Sequence, residues 1–140
     1  MKNLSKITIL MLIFVTMSAV EAKAQLVLYG LAEASPAIIS FQNPNDCETI
    51  ELTILNDLYQ TRLNSPILQV TLEANDPGEF TVSPTTIDLS TLTSTPAVFN
   101  IQVCYTPTTP GTHYSRVAIR GINVAGDSVI LAYTNITGTN

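Results

Sequence analysis

From residue 26 onward the chain is a succession of short runs in which apolar and polar residues alternate, each run ending at Pro, Gly, Asn or Asp. Alternation of this kind predicts half-buried β-strands, because successive side chains of a strand point to opposite faces. The predicted strands are Leu26 to Leu31, Ala37 to Phe41, Glu48 to Leu55, Ile67 to Leu72, Phe80 to Val82, Ala97 to Tyr105, His113 to Arg120 and Ser128 to Ile136. No segment carries an apolar stripe at helical spacing. About seven or eight short strands at this spacing predict an all-β fold, a sandwich of antiparallel strands.

Two strands have a clear parity. Ile50, Leu52 and Ile54 share one face of their strand, opposite Thr49, Glu51 and Thr53. Phe99, Ile101, Val103 and Tyr105 share one face of theirs, opposite Asn100, Gln102 and Cys104. The apolar sets are expected to face the core and the polar sets solvent. Cys47 and Cys104 both fall on the outward parity. In an immunoglobulin-type sandwich the second and fifth strands, counted from Ala37, are antiparallel neighbours in one sheet, so the start of one lies beside the end of the other. That arrangement predicts a cross-strand disulfide between Cys47 and Cys104 on a solvent-facing sheet surface; the alternative is a pair of free thiols. Two cysteines and a single distant histidine make no recognised zinc pattern, so no metal role is expected.

The N-terminus reads differently. Lys2 and Lys6 precede an apolar run from Ile7 to Val15, and Ala22-Lys23-Ala24 has the small-x-small form of a signal-peptidase site. Residues 1–24 are expected to be a secretory signal peptide and 25–140 one domain. The run is shorter than the roughly 20 apolar residues a membrane-spanning helix needs, and no later segment approaches that length. Cleavage would remove every lysine and Glu21, leaving three arginines against ten acidic residues, a net charge of 3 minus 10, or -7. Such a surface disfavours nucleic acid, whose binding rests on neutralising phosphates with Lys and Arg, and disfavours anionic membranes. An oxidising destination makes pairing of the two cysteines the default.

The stretch GEFTVSPTTIDL, followed by FNIQVCYTPTTPGTHYSRVAIRG and VILAYTNITG, resembles the second half of bacterial immunoglobulin-like modules of the choice-of-anchor type D, ASH and MSP-like kind. The matching positions are Phe80 and Val82, then Val103, Tyr105, Pro107 and Thr108, then Gly111, Val117 and Ile119, then Ile136 and Gly138. The match covers roughly Ala34 to Gly138 and is distinctive from Phe80 onward; the first half has Phe41-Gln42 where the family usually has Phe-Gly. The resemblance implies an immunoglobulin-like sandwich serving as a scaffold or interaction module. Pro107 and Pro110 lack a backbone N–H and Gly111 tolerates a reversal, so the strand should stop near Tyr105 and turn. His113 is then expected to be packed or to cap an edge.

No catalytic constellation is expected. The one histidine has no nucleophile elbow beside it, and without Trp an aromatic-lined glycosidase cleft is not anticipated. Ala74 to Glu79 offers oxygen ligands without the alternating spacing of a calcium loop, so a turn is favoured, as it is for Asn43 to Asp46. Asn135-Ile136-Thr137 matches an N-glycosylation acceptor, read here as a chance occurrence. Tyr114, Arg116 and Arg120 share the outward parity of their strand and form a candidate interaction face; the competing reading is a solvated face whose arginines pair with acidic neighbours. The expectation is an exported, non-enzymatic structural or protein-interaction module, periplasmic, surface-bound or secreted, without a cofactor and with another protein or cell-surface component as partner. The alternative is a glycan- or small-ligand-binding module.

Overall fold

A computed structural model describes residues 30–140; the signal-peptide expectation and residues 26–29 of the first predicted strand lie outside them. The described residues form nine strands: β1 (Ala32–Ser35), β2 (Ile38–Phe41), β3 (Cys47–Ile54), β4 (Ile67–Glu73), β5 (Phe80–Ser83), β6 (Thr86–Asp88), β7 (Ala97–Tyr105), β8 (Thr112–Ile122) and β9 (Ser128–Thr139). They build a four-stranded sheet in the order β1-β3-β7-β5 facing a five-stranded sheet in the order β2-β9-β8-β4-β6. The predicted β-sandwich is therefore present, with one parallel pairing, β2 with β9, among antiparallel ones.

The parity argument holds at the centre of the molecule. Ile50, Leu52, Ile54, Ile101, Val103 and Tyr105 are all buried, while Thr49, Glu51, Asn100 and Gln102 are exposed. Each Ile or Leu so buried contributes about 1.5 to 3 kcal/mol relative to an exposed one. Phe41, Phe80 and Tyr105 meet between the sheets, with ring centroids 5.2 to 6.2 Å apart. Gly138 is small because of this cluster: a Cβ there would lie 2.5 Å from the Tyr105 ring.

Three features were not anticipated. The first is β1: the predicted strand Leu26 to Leu31 does not extend through Gly30 and Leu31, because Gly30 turns at φ +83 and pairing begins at Ala32. The four residues Ala-Glu-Ala-Ser are poor strand formers by propensity, yet their backbone pairs with the well-formed edge of β3. The second is β6, three residues paired to β4. The third is helical: a single turn at Tyr59–Arg62, called α1 here, and 3-10 turns at Pro77–Glu79 and Leu89–Thr91. Segments this short carry no detectable helical period.

Candidate functional site

The outward face of the five-stranded sheet collects the row expected on β8. Tyr114 is 50 % exposed. Its backbone is held at the sheet end by Asp76, whose carboxylate accepts from the Tyr114 N–H at 2.9 Å and whose own N–H donates to the Tyr114 carbonyl at 2.9 Å. Asp76 thus serves the turn between β4 and β5, as the turn reading of that loop expects.

Arg116 and Arg120 are only half-buried, and their situations differ. Arg120 forms an ion pair with Glu73 on β4, Nη2 reaching Oε2 at 3.1 Å while Nε donates to Oε1. Hydrogen bonding from Arg120 holds the Glu73 carboxyl below the usual carboxylate range, against an opposing push from burial, and the same contact raises Arg120. The charge of Arg120 is therefore already matched within the sheet. Arg116 stands directly opposite Glu73 in the β4–β8 register, yet Glu73 reaches past it to Arg120. Arg116 makes no ion pair among the described residues. Its guanidinium lies 5.0 Å from the centre of the Tyr133 ring on β9, a cation–π arrangement, and its buried Nε has no hydrogen-bond partner.

Register adds neighbours that parity on one strand cannot show. Arg116 pairs with Asn135 of β9, and Asn135 with Ile38 of β2. Ile38 is 65 % exposed and Tyr133 42 %. Tyr114, Arg116, Tyr133 and Ile38 thus surround one stretch of β9 on a single face. Tyr133 comes beside β8 through the neighbouring β8–β9 pair, opposite Ala118, whereas Ile38 could not be grouped with β8 from sequence, because the parallel β2–β9 pairing that brings it there is a long-range contact.

The two cysteines meet as the strand arrangement required. Cys47 opens β3 opposite Cys104 near the end of β7, and they form a disulfide across the strand pair with Cα atoms 4.0 Å apart. Cys47 is exposed and Cys104 half-buried, on the outer face of the four-stranded sheet.

His113 is buried at 5 % exposure and belongs to a polar chain inside the turn between β7 and β8. Its Nδ1 lies 2.7 Å from the Tyr105 hydroxyl and its Nε2 3.0 Å from Thr109 Oγ1. The Thr109 hydroxyl donates to Glu79 Oε1 at 3.1 Å, so it accepts from His113 Nε2–H, which leaves Nδ1 to accept from Tyr105. Glu79 also accepts from Thr108 Oγ1 at 2.7 Å and from the backbone N–H groups of Thr108 and Thr109. These bonds, led by the Thr108 N–H, lower the Glu79 carboxyl to about 2. Sequence reading placed His113 as a packed residue but missed Glu79, whose partners lie 29 and 30 residues away. The network fastens a turn; every member is used in holding it. Among the described residues no three His, Cys, Asp or Glu side chains gather where they could hold a metal ion, and no helix is long and apolar enough to cross a membrane.

Fold and site together define an immunoglobulin-like β-sandwich with an aromatic and basic patch on one sheet. No family model matches the chain, and no curated protein matches it. Solved structures do. The periplasmic chaperone SfaE is similar at a TM-score of 0.56 and 8 % identity, over 77 % of this chain and 57 % of that one. The YadV chaperone is similar at 0.54 and 14 % identity, over 79 % of this chain and 52 % of that one. An ASH / PapD-like domain of human CEP192 is similar at 0.49 and 12 % identity, over 79 % of this chain and 84 % of that domain. The chain thus spans little more than half the length of the two chaperones, and its likeness to them, at these identities, is one of fold.

Proposed function

We propose that the protein is an exported, non-enzymatic interaction module of the cell envelope or extracellular space, and that a partner protein docks on the outward face of the five-stranded sheet around Arg116. The observation that carries this reading is a cation without a carboxylate partner among the described residues, ringed by exposed Tyr114, Tyr133 and Ile38. Tyr and Arg are the side chains that most often dominate binding energy at protein interfaces. A sandwich fold by itself fixes no function, so the argument rests on this patch.

Arg120 has a supporting part in this reading. It takes the direct ion pair and hydrogen bonds of Glu73, so that Arg116 feels that carboxylate only through space and keeps its guanidinium for the partner beside the two tyrosines. Export is supported by the Lys2 and Lys6 start, the apolar run and the Ala22-Lys23-Ala24 site, with residues 25–140 as the mature domain. A disulfide open to solvent suits an oxidising compartment.

The test is binding of the purified protein to an extract of the cells that make it. Tyr114→Ala and Arg116→Ala should each weaken capture of a specific partner by about 10-fold or more, the size expected of an interface anchor, with the thermal transition unchanged. Capture undiminished in both variants rules out this face.

A further inference from the structure

Helix α1, the loop after it and the 3-10 turn Leu89–Thr91 enclose a cleft of about 380 Å³. It sits where β8 ends, whereas Tyr114 lies near the start of β8, eight residues and about 26 Å back along the strand. The cleft is therefore separate from the face around Arg116.

Its walls divide by chemistry. Tyr59, Leu63 and Leu89 are core residues whose edges form an apolar floor. Gln60, Asn64 and Ser90 stand exposed at the rim. Gln60 makes one long hydrogen bond, to the Tyr59 hydroxyl at 3.4 Å. The Asn64 amide engages no other side chain among the described residues and can donate and accept. The Ser90 hydroxyl turns its proton to the Asp88 carboxylate, which the bond holds below its usual range, and keeps its lone pairs for a ligand. No Asp, Glu, Lys, Arg or His lines the space.

The walls are also fixed in advance. The Asn64 N–H donates to the Ile122 carbonyl at 2.7 Å, Leu89 N–H to the Pro66 carbonyl at 2.9 Å, and Ser90 N–H to the Asp88 carboxylate at 2.8 Å. Such backbone bonds hold Asn64 and Ser90 across the cleft, so little ordering is needed on binding.

We propose that this cleft binds a neutral saccharide. A sugar presents hydroxyls that both donate and accept, matching the amides and hydroxyl of the rim, and C–H faces that suit the floor of Tyr59, Leu63 and Leu89. An anionic ligand would leave water, meet no cation in the lining and face the Asp88 carboxylate held beside Ser90, at a net cost. The volume lies near the small end of ligand sites, which suits about one or two sugar rings rather than a long chain.

The test is a titration of the isotope-labelled exported protein with glucose, galactose, cellobiose and maltose, followed by amide NMR shifts, with glucuronate as the anionic counterpart. At least one neutral sugar should shift the amides of Gln60 to Ser65 and Leu89 to Leu92 with millimolar affinity, and glucuronate should bind more weakly. Asn64→Ala and Ser90→Ala should each lower that affinity about 3- to 10-fold, the effect of one neutral hydrogen bond, while Arg116→Ala should leave it unchanged. No shift with any of the four neutral sugars, shifts confined to other surfaces, or cleft variants that bind like the wild type each overturn the proposal. Loss of sugar binding in Arg116→Ala would place the sugar on the other face and overturn it equally.

Discussion

Replacing Cys47 and Cys104 together by serine removes the one covalent link between β3 and β7 while disturbing little packing, since Cys47 is exposed and Cys104 half-buried. The effect should therefore come chiefly from the unfolded chain. A separation of 57 residues corresponds, on the loop-entropy relation, to about 14 cal/mol/K, or about 4 kcal/mol at 25 °C. For a domain of roughly a hundred residues this lowers the thermal midpoint by about 15 °C. Urea unfolding followed by circular dichroism gives the direct measure. The midpoint should fall, and the m-value should hold or rise, because the unlinked unfolded chain exposes at least as much surface. A loss below about 1 kcal/mol would refute the reasoning, since native strain in the bridge would then have to cancel most of the entropic gain.

Gly138→Ala should destabilise by about 1 to 3 kcal/mol, because the new Cβ falls 2.5 Å from the Tyr105 ring and either β9 or the ring must move; chemical denaturation measures it. Tyr105→Phe should cost about 1 to 3 kcal/mol in the same assay by leaving buried His113 Nδ1 without a donor. Because the folded carboxyl of Glu79 sits at about 2, below the unfolded value of 4.5, its ionised form stabilises the fold above pH 4.5 and that contribution fades as pH falls from 4.5 towards 2. Thermal midpoints measured across that window should therefore fall less steeply in Glu79→Gln than in the wild type; equal slopes remove Glu79 from the account. Intact mass of the exported protein should correspond to a chain starting at Gln25, whereas a retained leader would end the signal-peptide assignment.

Strands that run through the middle of the sandwich were legible because burial of one face imposes strict alternation. Ile50-Leu52-Ile54 and Ile101-Val103-Tyr105 announced both their faces and, through the outward parity of Cys47 and Cys104, the disulfide. What stayed hidden is held by contacts distant in sequence. β1 is a strand only because β3 lies beside it, and Ile38 reaches the Arg116 neighbourhood only through a parallel pairing with β9 almost a hundred residues on. The pattern also fails locally in β9, where Val129, Ile130, Leu131 and Ala132 are all buried. A register shift beside Ile119 and Arg120 interrupts the alternation there, so one extra residue faces inward. Glu79 and the cleft beside α1 were invisible for a related reason: isolated polar residues in loops acquire partners only after the strands have brought the loops together.

The claim that the face around Arg116 is the docking surface is tested most directly by site-specific photocross-linking. A photoreactive residue at position 114 or 133 should capture one partner from an extract of the producing cells, and the same residue at position 51 or 100, on the outer face of the opposite sheet, should not. Capture from positions 51 and 100 alone, or equally from both sheets, would contradict the account.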